Sequence, residues 1–160
     1  MRWAVVLLVL LGGCVPSAWR LAKKMEGKYT TGAPGQGWVV VAPGGADRAW
    51  VNDNLKASIY TDSNCGPRYA ETRIEDLATE LVSGFRDLQD LKEEYRMVGD
   101  REAILRVHQG RLDGVPMKVG LIVLNKNACN YDFAYISPPE NFDGGWSAFE
   151  QVVGGFAEIR

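Results

Sequence analysis

The sequence predicts an α+β fold, an antiparallel β-sheet packed against two main helices. Three observations predict it. Four strand-like stretches follow one another between residues 92 and 136 with no helical stretch between them, and parallel neighbours would need such crossovers. Asp113-Gly114 stands between two alternating stretches, where a two-residue hairpin demands positive φ. The two strongest helical patterns flank this run, one before it and one after, so the helices cover a continuous sheet.

Taken in order, the first half is β-rich. Gly32-Ala33-Pro34-Gly35-Gln36-Gly37 reads as a turn, because Pro34 and the strand that follows do not suit a phosphate loop. Residues 37–42 form a short strand that Pro43-Gly44-Gly45 ends, and residues 50–52 a brief extended piece. From Leu55 to Thr61 the residues alternate as in a half-buried strand, closed by Cys65-Gly66-Pro67. A helix is expected from Thr72 to Leu88. Thr72 and Glu75 have capping-box spacing, and Ile74, Leu77, Ala78, Leu81, Val82, Phe85 and Leu88 recur at helical intervals.

Strands are then expected over 92–98, 102–111, 115–124 and 130–136. The last carries Tyr131, Phe133 and Tyr135 on one face and is stopped by Ser137-Pro138-Pro139. A closing helix after Gly144-Gly145 places Trp146, Phe149, Val152, Val153 and Phe156 on one side.

Ahead of this domain lies an export leader. Arg2 precedes an apolar run from Trp3 to Leu11, too short to span a bilayer permanently. The run ends in Leu11-Gly12-Gly13-Cys14, which resembles the lipobox of bacterial lipoproteins. The resemblance implies that the Cys14 thiol carries a diacylglycerol, that the leader is cut before Cys14, and that the new amino group is acylated, palmitate being the expected chain. The expected organisation is a signal peptide over 1–13, a lipidated tether over 14–28 and a single domain over 29–160. Several acyl chains hold firmly where one is marginal. Arg20, Lys23 and Lys24 in the tether read either as a contact with anionic headgroups or as a solvated linker. Val15 stands where many enterobacterial lipoproteins retained in the inner membrane carry aspartate, which favours the outer membrane.

The mature chain of about 147 residues is long enough for one core. Its mild negative charge gives no reason to expect nucleic acid as a partner, because phosphate binding needs clustered Lys and Arg. Export places Cys65 and Cys129 in an oxidising compartment, where an even pair reads first as a disulfide. On the chain-entropy model that loop is worth roughly 4 kcal/mol. Neither cysteine belongs to a Cys-x-x-Cys motif, and His108 is far from both in sequence, so a metal or redox pair ranks behind two free thiols.

The element order resembles the PsbP-like α/β/α sandwich. The matching features are the strand opening at Trp38, the helix from Thr72, the Asp113-Gly114 hairpin, the aromatic strand 131–135 and a closing helix ending in Gly154-Gly155-Phe156. The resemblance implies that Phe149 and Phe156 pack in the core. It also implies a role as an accessory or binding protein. The cysteine pair lies outside the general pattern.

Catalytic signatures are absent: no nucleophile elbow, no His-Glu-x-x-His, no phosphate loop and no dinucleotide fingerprint. No catalytic residue, metal ligand or cofactor is assigned. His108 in mid-strand reads as solvent-facing or partly packed rather than as a general base. Asp87, Asp90, Glu93 and Glu94 alternate with Arg86, Lys92 and Arg96, as on a solvated face, and Asp132 turns away from its flanking rings toward water. Tyr131, Tyr135, Phe142 and Trp146 form the candidate binding surface, with an inward turn of Phe142 and Trp146 as the competing reading. The expected role is a non-enzymatic accessory or binding module of an envelope complex. Its partners are the membrane, through Cys14, and an envelope protein. The alternative is a small-molecule or lipid carrier with a pocket over Tyr131, Phe133 and Tyr135.

Overall fold

The computed structural model describes residues 27–159; the leader, Cys14 and the tether as far as Glu26 lie outside them. Seven strands form one antiparallel sheet: β2 (Val39–Val41), β3 (Arg48–Asn52), β4 (Ala57–Cys65), β5 (Arg86–Val98), β6 (Arg101–Leu112), β7 (Val115–Lys126) and β8 (Cys129–Ser137). Their spatial order is β2-β3-β4-β8-β7-β6-β5, so β4 pairs with the last strand of the meander that follows it. A two-stranded antiparallel ribbon joins β1 (Tyr29–Thr30) to β9 (Ala157–Glu158).

The helices α1 (Pro67–Glu71) and α2 (Ile74–Leu81) carry the chain from β4 across one face to the far edge strand β5. The third, α3 (Phe142–Gly154), covers the other face. Both faces of the central strands are therefore buried, which explains the continuous apolar run Leu121-Ile122-Val123-Leu124 in β7. Leu121 and Val123 lie on the α2 side with Leu77, Ala78 and Val82; Ile122 and Leu124 lie on the α3 side with Phe149, Val152 and Phe156. Between β6 and β7 the hairpin takes positive φ at Asp113 (50°) and Gly114 (82°), as expected.

Three local expectations are corrected. The helix from Thr72 stops at Leu81, a turn through Ser83 and Gly84 follows, and β5 begins at Arg86, six residues earlier than expected for a strand. Phe85 and Leu88, three residues apart, share a helical face in pattern but not in the structure: Phe85 packs inward from the turn, and Leu88 on β5 is exposed. No capping box forms: the Thr72 hydroxyl donates to Arg68 O in the turn before, and Glu75 instead takes Tyr95 and Arg73. Cys65-Gly66-Pro67 ends β4 as expected and leads directly into α1, whose first turn accepts Pro67 because no partner is lost there. Finally, Gly144 and Gly145 lie inside α3. A Cβ on Gly145 would clash with the Tyr135 hydroxyl, which donates to Phe142 O at 2.8 Å.

Candidate functional site

The aromatic residues singled out by the sequence separate into a core and a rim. Tyr131 and Tyr135 are fully buried and form no surface, which corrects their place in the candidate binding set. Their rings project under α3 into a ladder: Tyr131 meets Tyr29 at 5.2 Å and Phe156 at 5.0 Å, and Tyr135 meets Phe142 at 4.9 Å and Phe149 at 5.9 Å between centroids. The hydroxyls are satisfied at the edges, Tyr131 by Glu158 at 3.0 Å and Tyr135 by the α3 backbone. The region where a carrier pocket was the alternative is thus occupied by rings, and Phe149 and Phe156 pack as the resemblance implied.

Phe142 and Trp146 turn inward from the start of α3, yet they also wall a cleft of about 290 Å³ that opens beside β5, β6 and β7. Leu91, Val107, Phe142 and Trp146 give it apolar sides, and Lys92, Lys118 and Asp143 give it charge. Gly120 makes room for the Trp146 ring: a Cβ there would stand 2.5 Å from it. Phe142 and Trp146 lie 5.3 Å apart, and the Lys118 ammonium sits 4.4 Å above the Phe142 ring. Lys92 pairs with Glu94 at 2.9 Å. Sequence reasoning missed Lys118. The signal was there: on the face of β7 shared by Gly120, Ile122 and Leu124, it is a cation on an otherwise apolar side.

Across the sheet, on the side covered by α1 and α2, lies a partly buried polar row. Asn64, Asn130 and Asn125 are register partners on β4, β8 and β7, and Asp62 faces Asp132 one step along. Asp132 is buried rather than solvated, a second correction, because α1, together with Leu81 of α2, covers the side of β8 away from the rings. Burial raises its carboxyl to about 7, opposed by the hydrogen bond it accepts from Asn130 Nδ2 at 2.7 Å. The amide oxygens of Asn125 and Asn130 are buried with no partner among the described residues.

His108 is also buried, not solvent-facing; it lies on the face of β6 that Ile104 turns toward α2. Its Nδ1 lies 2.7 Å from Asp90 Oδ1, so a histidine and a carboxylate do meet. Nε2, the atom a general base would use, is buried and has no partner among the described residues. The other acids of β5 engage cations, Glu93 with Arg106 and Asp87 with Arg111. Among the described residues, no group of three or more His, Cys, Asp or Glu side chains is placed to hold a metal ion.

Cys65 and Cys129 are register partners on β4 and β8, joined by a disulfide with Cα atoms 4.0 Å apart. No helix among the described residues is long and apolar enough to cross a membrane.

No family model matches the chain, and no curated protein is similar to it. Solved structures are. LpqN of Mycobacterium tuberculosis, a protein involved in cell envelope biogenesis, superposes with a TM-score of 0.61 at 9% identity, over 84% of this chain and 86% of its own. CyanoP, the PsbP of the cyanobacterium Synechocystis, gives 0.54 at 13% identity, over 78% and 83%. A putative regulator of unknown function from Pseudomonas aeruginosa gives 0.53 at 12% identity, over 91% and 90%. This chain spans half the length of a Bacteroides thetaiotaomicron protein that it also resembles, with a TM-score of 0.56 at 11% identity and 85% of this chain covered. At such identities the likeness shows the fold alone: an antiparallel α+β sandwich of PsbP-like architecture.

Proposed function

We propose that this protein is a lipid-anchored lipoprotein of the cell envelope that serves a membrane-associated complex as a non-catalytic accessory or binding module. The observation that carries the reading is the leader ending in Leu11-Gly12-Gly13-Cys14. A lipid on Cys14 fixes the domain near the membrane and raises its effective concentration toward a membrane partner. The fold is compatible with it, since LpqN, of the same architecture, is involved in cell envelope biogenesis. A non-catalytic role is supported by the shielded Nε2 of the chain's single histidine. Val15 after the lipidated residue favours the outer membrane.

The test is a crosslinked pull-down from native membranes with the lipidated protein and with a secreted Cys14→Ser form. Stoichiometric recovery of an envelope complex by the lipidated form alone supports a tethered accessory subunit. Recovery of no protein by either form overturns it.

A further inference from the structure

The cleft beside Trp146 has the makings of a ligand site distinct from any protein-docking role. Its apolar walls come from three separate elements: Leu91 on β5, Val107 on β6, and Phe142 and Trp146 on α3. Leu91 is half exposed, a position that gains if a ligand covers it.

The charges decide what kind of ligand. Lys92 already has Glu94. Asp143 stands in the first turn of α3, where the helix dipole favours a negative charge. Lys118, unlike Lys92, has no carboxylate within ion-pair distance among the described residues; its ammonium lies against the Phe142 ring. A cation so placed, at the mouth of an apolar cleft and partly removed from water, is a point of attraction for one negative charge. The volume, about 290 Å³, stands at the small end of ordinary ligand pockets.

We propose that this cleft binds a small apolar acid: a ring or short branched hydrocarbon carrying a single carboxylate. The apolar body lies between Leu91, Val107 and Trp146, and the carboxylate meets Lys118.

The experiment uses the full chain with Cys14→Ser, so that no detergent competes for the cleft. The probes are 2-naphthoate and its uncharged analogue 2-naphthamide, titrated while following the Trp146 indole N–H resonance, which is identified by its loss in Trp146→Phe. Naphthoate is expected to shift this resonance saturably and to bind at least tenfold more tightly than naphthamide. Lys118→Met, which keeps the packing on Phe142, brings naphthoate down to the level of the amide. Leu91→Glu, at an exposed position that does not threaten folding, weakens both probes at least fivefold. Absence of a saturable shift overturns the proposal, as does equal affinity for acid and amide, or insensitivity to both substitutions. None of these outcomes depends on recovering an envelope complex, so the two readings fail separately.

Discussion

A carboxyl group as deeply buried as that of Asp132 is held most comfortably when protonated. Its folded value of about 7 lies above the roughly 3.9 of an unfolded aspartate, so the contribution to stability is fully present below about pH 4 and is lost as pH rises through about 7. Asp132→Asn keeps an oxygen for Asn130 and removes the titration. It is expected to be more stable than the parent at pH 8 by an amount on the order of a few kcal/mol, and to lose that advantage by pH 4. Urea unfolding at both pH values checks this; a gap that persists at pH 4 contradicts it. Glu75 behaves in the opposite sense. The Tyr95 hydroxyl, 2.6 Å away, is the largest of the influences that lower its carboxyl to about 2. Tyr95→Phe is expected to return Glu75 toward the ordinary range, as measured by NMR titration. The sequence located Asp132 opposite the rings, but what covers that side depends on a helix arriving from another part of the chain. Alternation assigns a face to a residue and leaves its solvent undetermined.

Among the elements, the disulfide and α3 hold the two long-range joints. The bridge ties β4 to β8, strands far apart in sequence, at one end of their shared ladder. Cys65→Ser with Cys129→Ser is expected to cost about 2–5 kcal/mol, and a reductant should lower the Tm of the parent but not of the double variant. Removing the Phe149 ring from beneath α3 is expected to cost about 3–5 kcal/mol as Phe149→Ala in equilibrium unfolding, because the site is enclosed by other rings and cannot collapse readily. Elements with a long uninterrupted period were legible: β6, β7, β8 and most of α3 fell where the pattern placed them. The stretch from Pro67 to Leu91 was not. There two short helices and the start of a bulged strand share apolar spacing, and local pattern cannot tell a fourth helical turn from an edge strand when the pairing partner, β6, comes later. The cleft was legible only in part, since Phe142 and Trp146 were visible as a pair while Leu91, Val107 and Lys118 join them through sheet register.

For the molecule as a whole, the chain enters and leaves at one end. Gly27 donates to Ser63 Oγ near the top of β4, and Ile159 bonds back to Lys28 beside the ribbon of β1 and β9. The cleft beside Trp146 lies toward the opposite end of the sheet, where α3 begins and the β6–β7 hairpin turns. If Cys14 is lipidated as proposed, the disulfide end is expected to lie nearer the bilayer than the cleft, because Gly27 enters at that end. Spin labels at Ile159→Cys and Val115→Cys on the lipidated protein in vesicles test this orientation. The label at 159 is expected to show the stronger relaxation by a lipid-bound paramagnet; the reverse order contradicts it.

Where the chain enters also fixes how the fold meets mechanical load. A pull on the segment ahead of Gly27 passes first into Ser63 and then into Tyr29, whose hydroxyl lies 2.9 Å from both Asp47 and Thr61. Ser63 and Thr61 belong to β4, and two residues beyond Ser63 the Cys65–Cys129 bond crosses to β8. Tension therefore enters the sheet close to its covalent cross-tie and spreads into the central strands, while the unpaired edge of β5 at the other side carries little of it. The bridge acts as a rivet close to where such a pull arrives: with it reduced, the fold is expected to peel from that corner first.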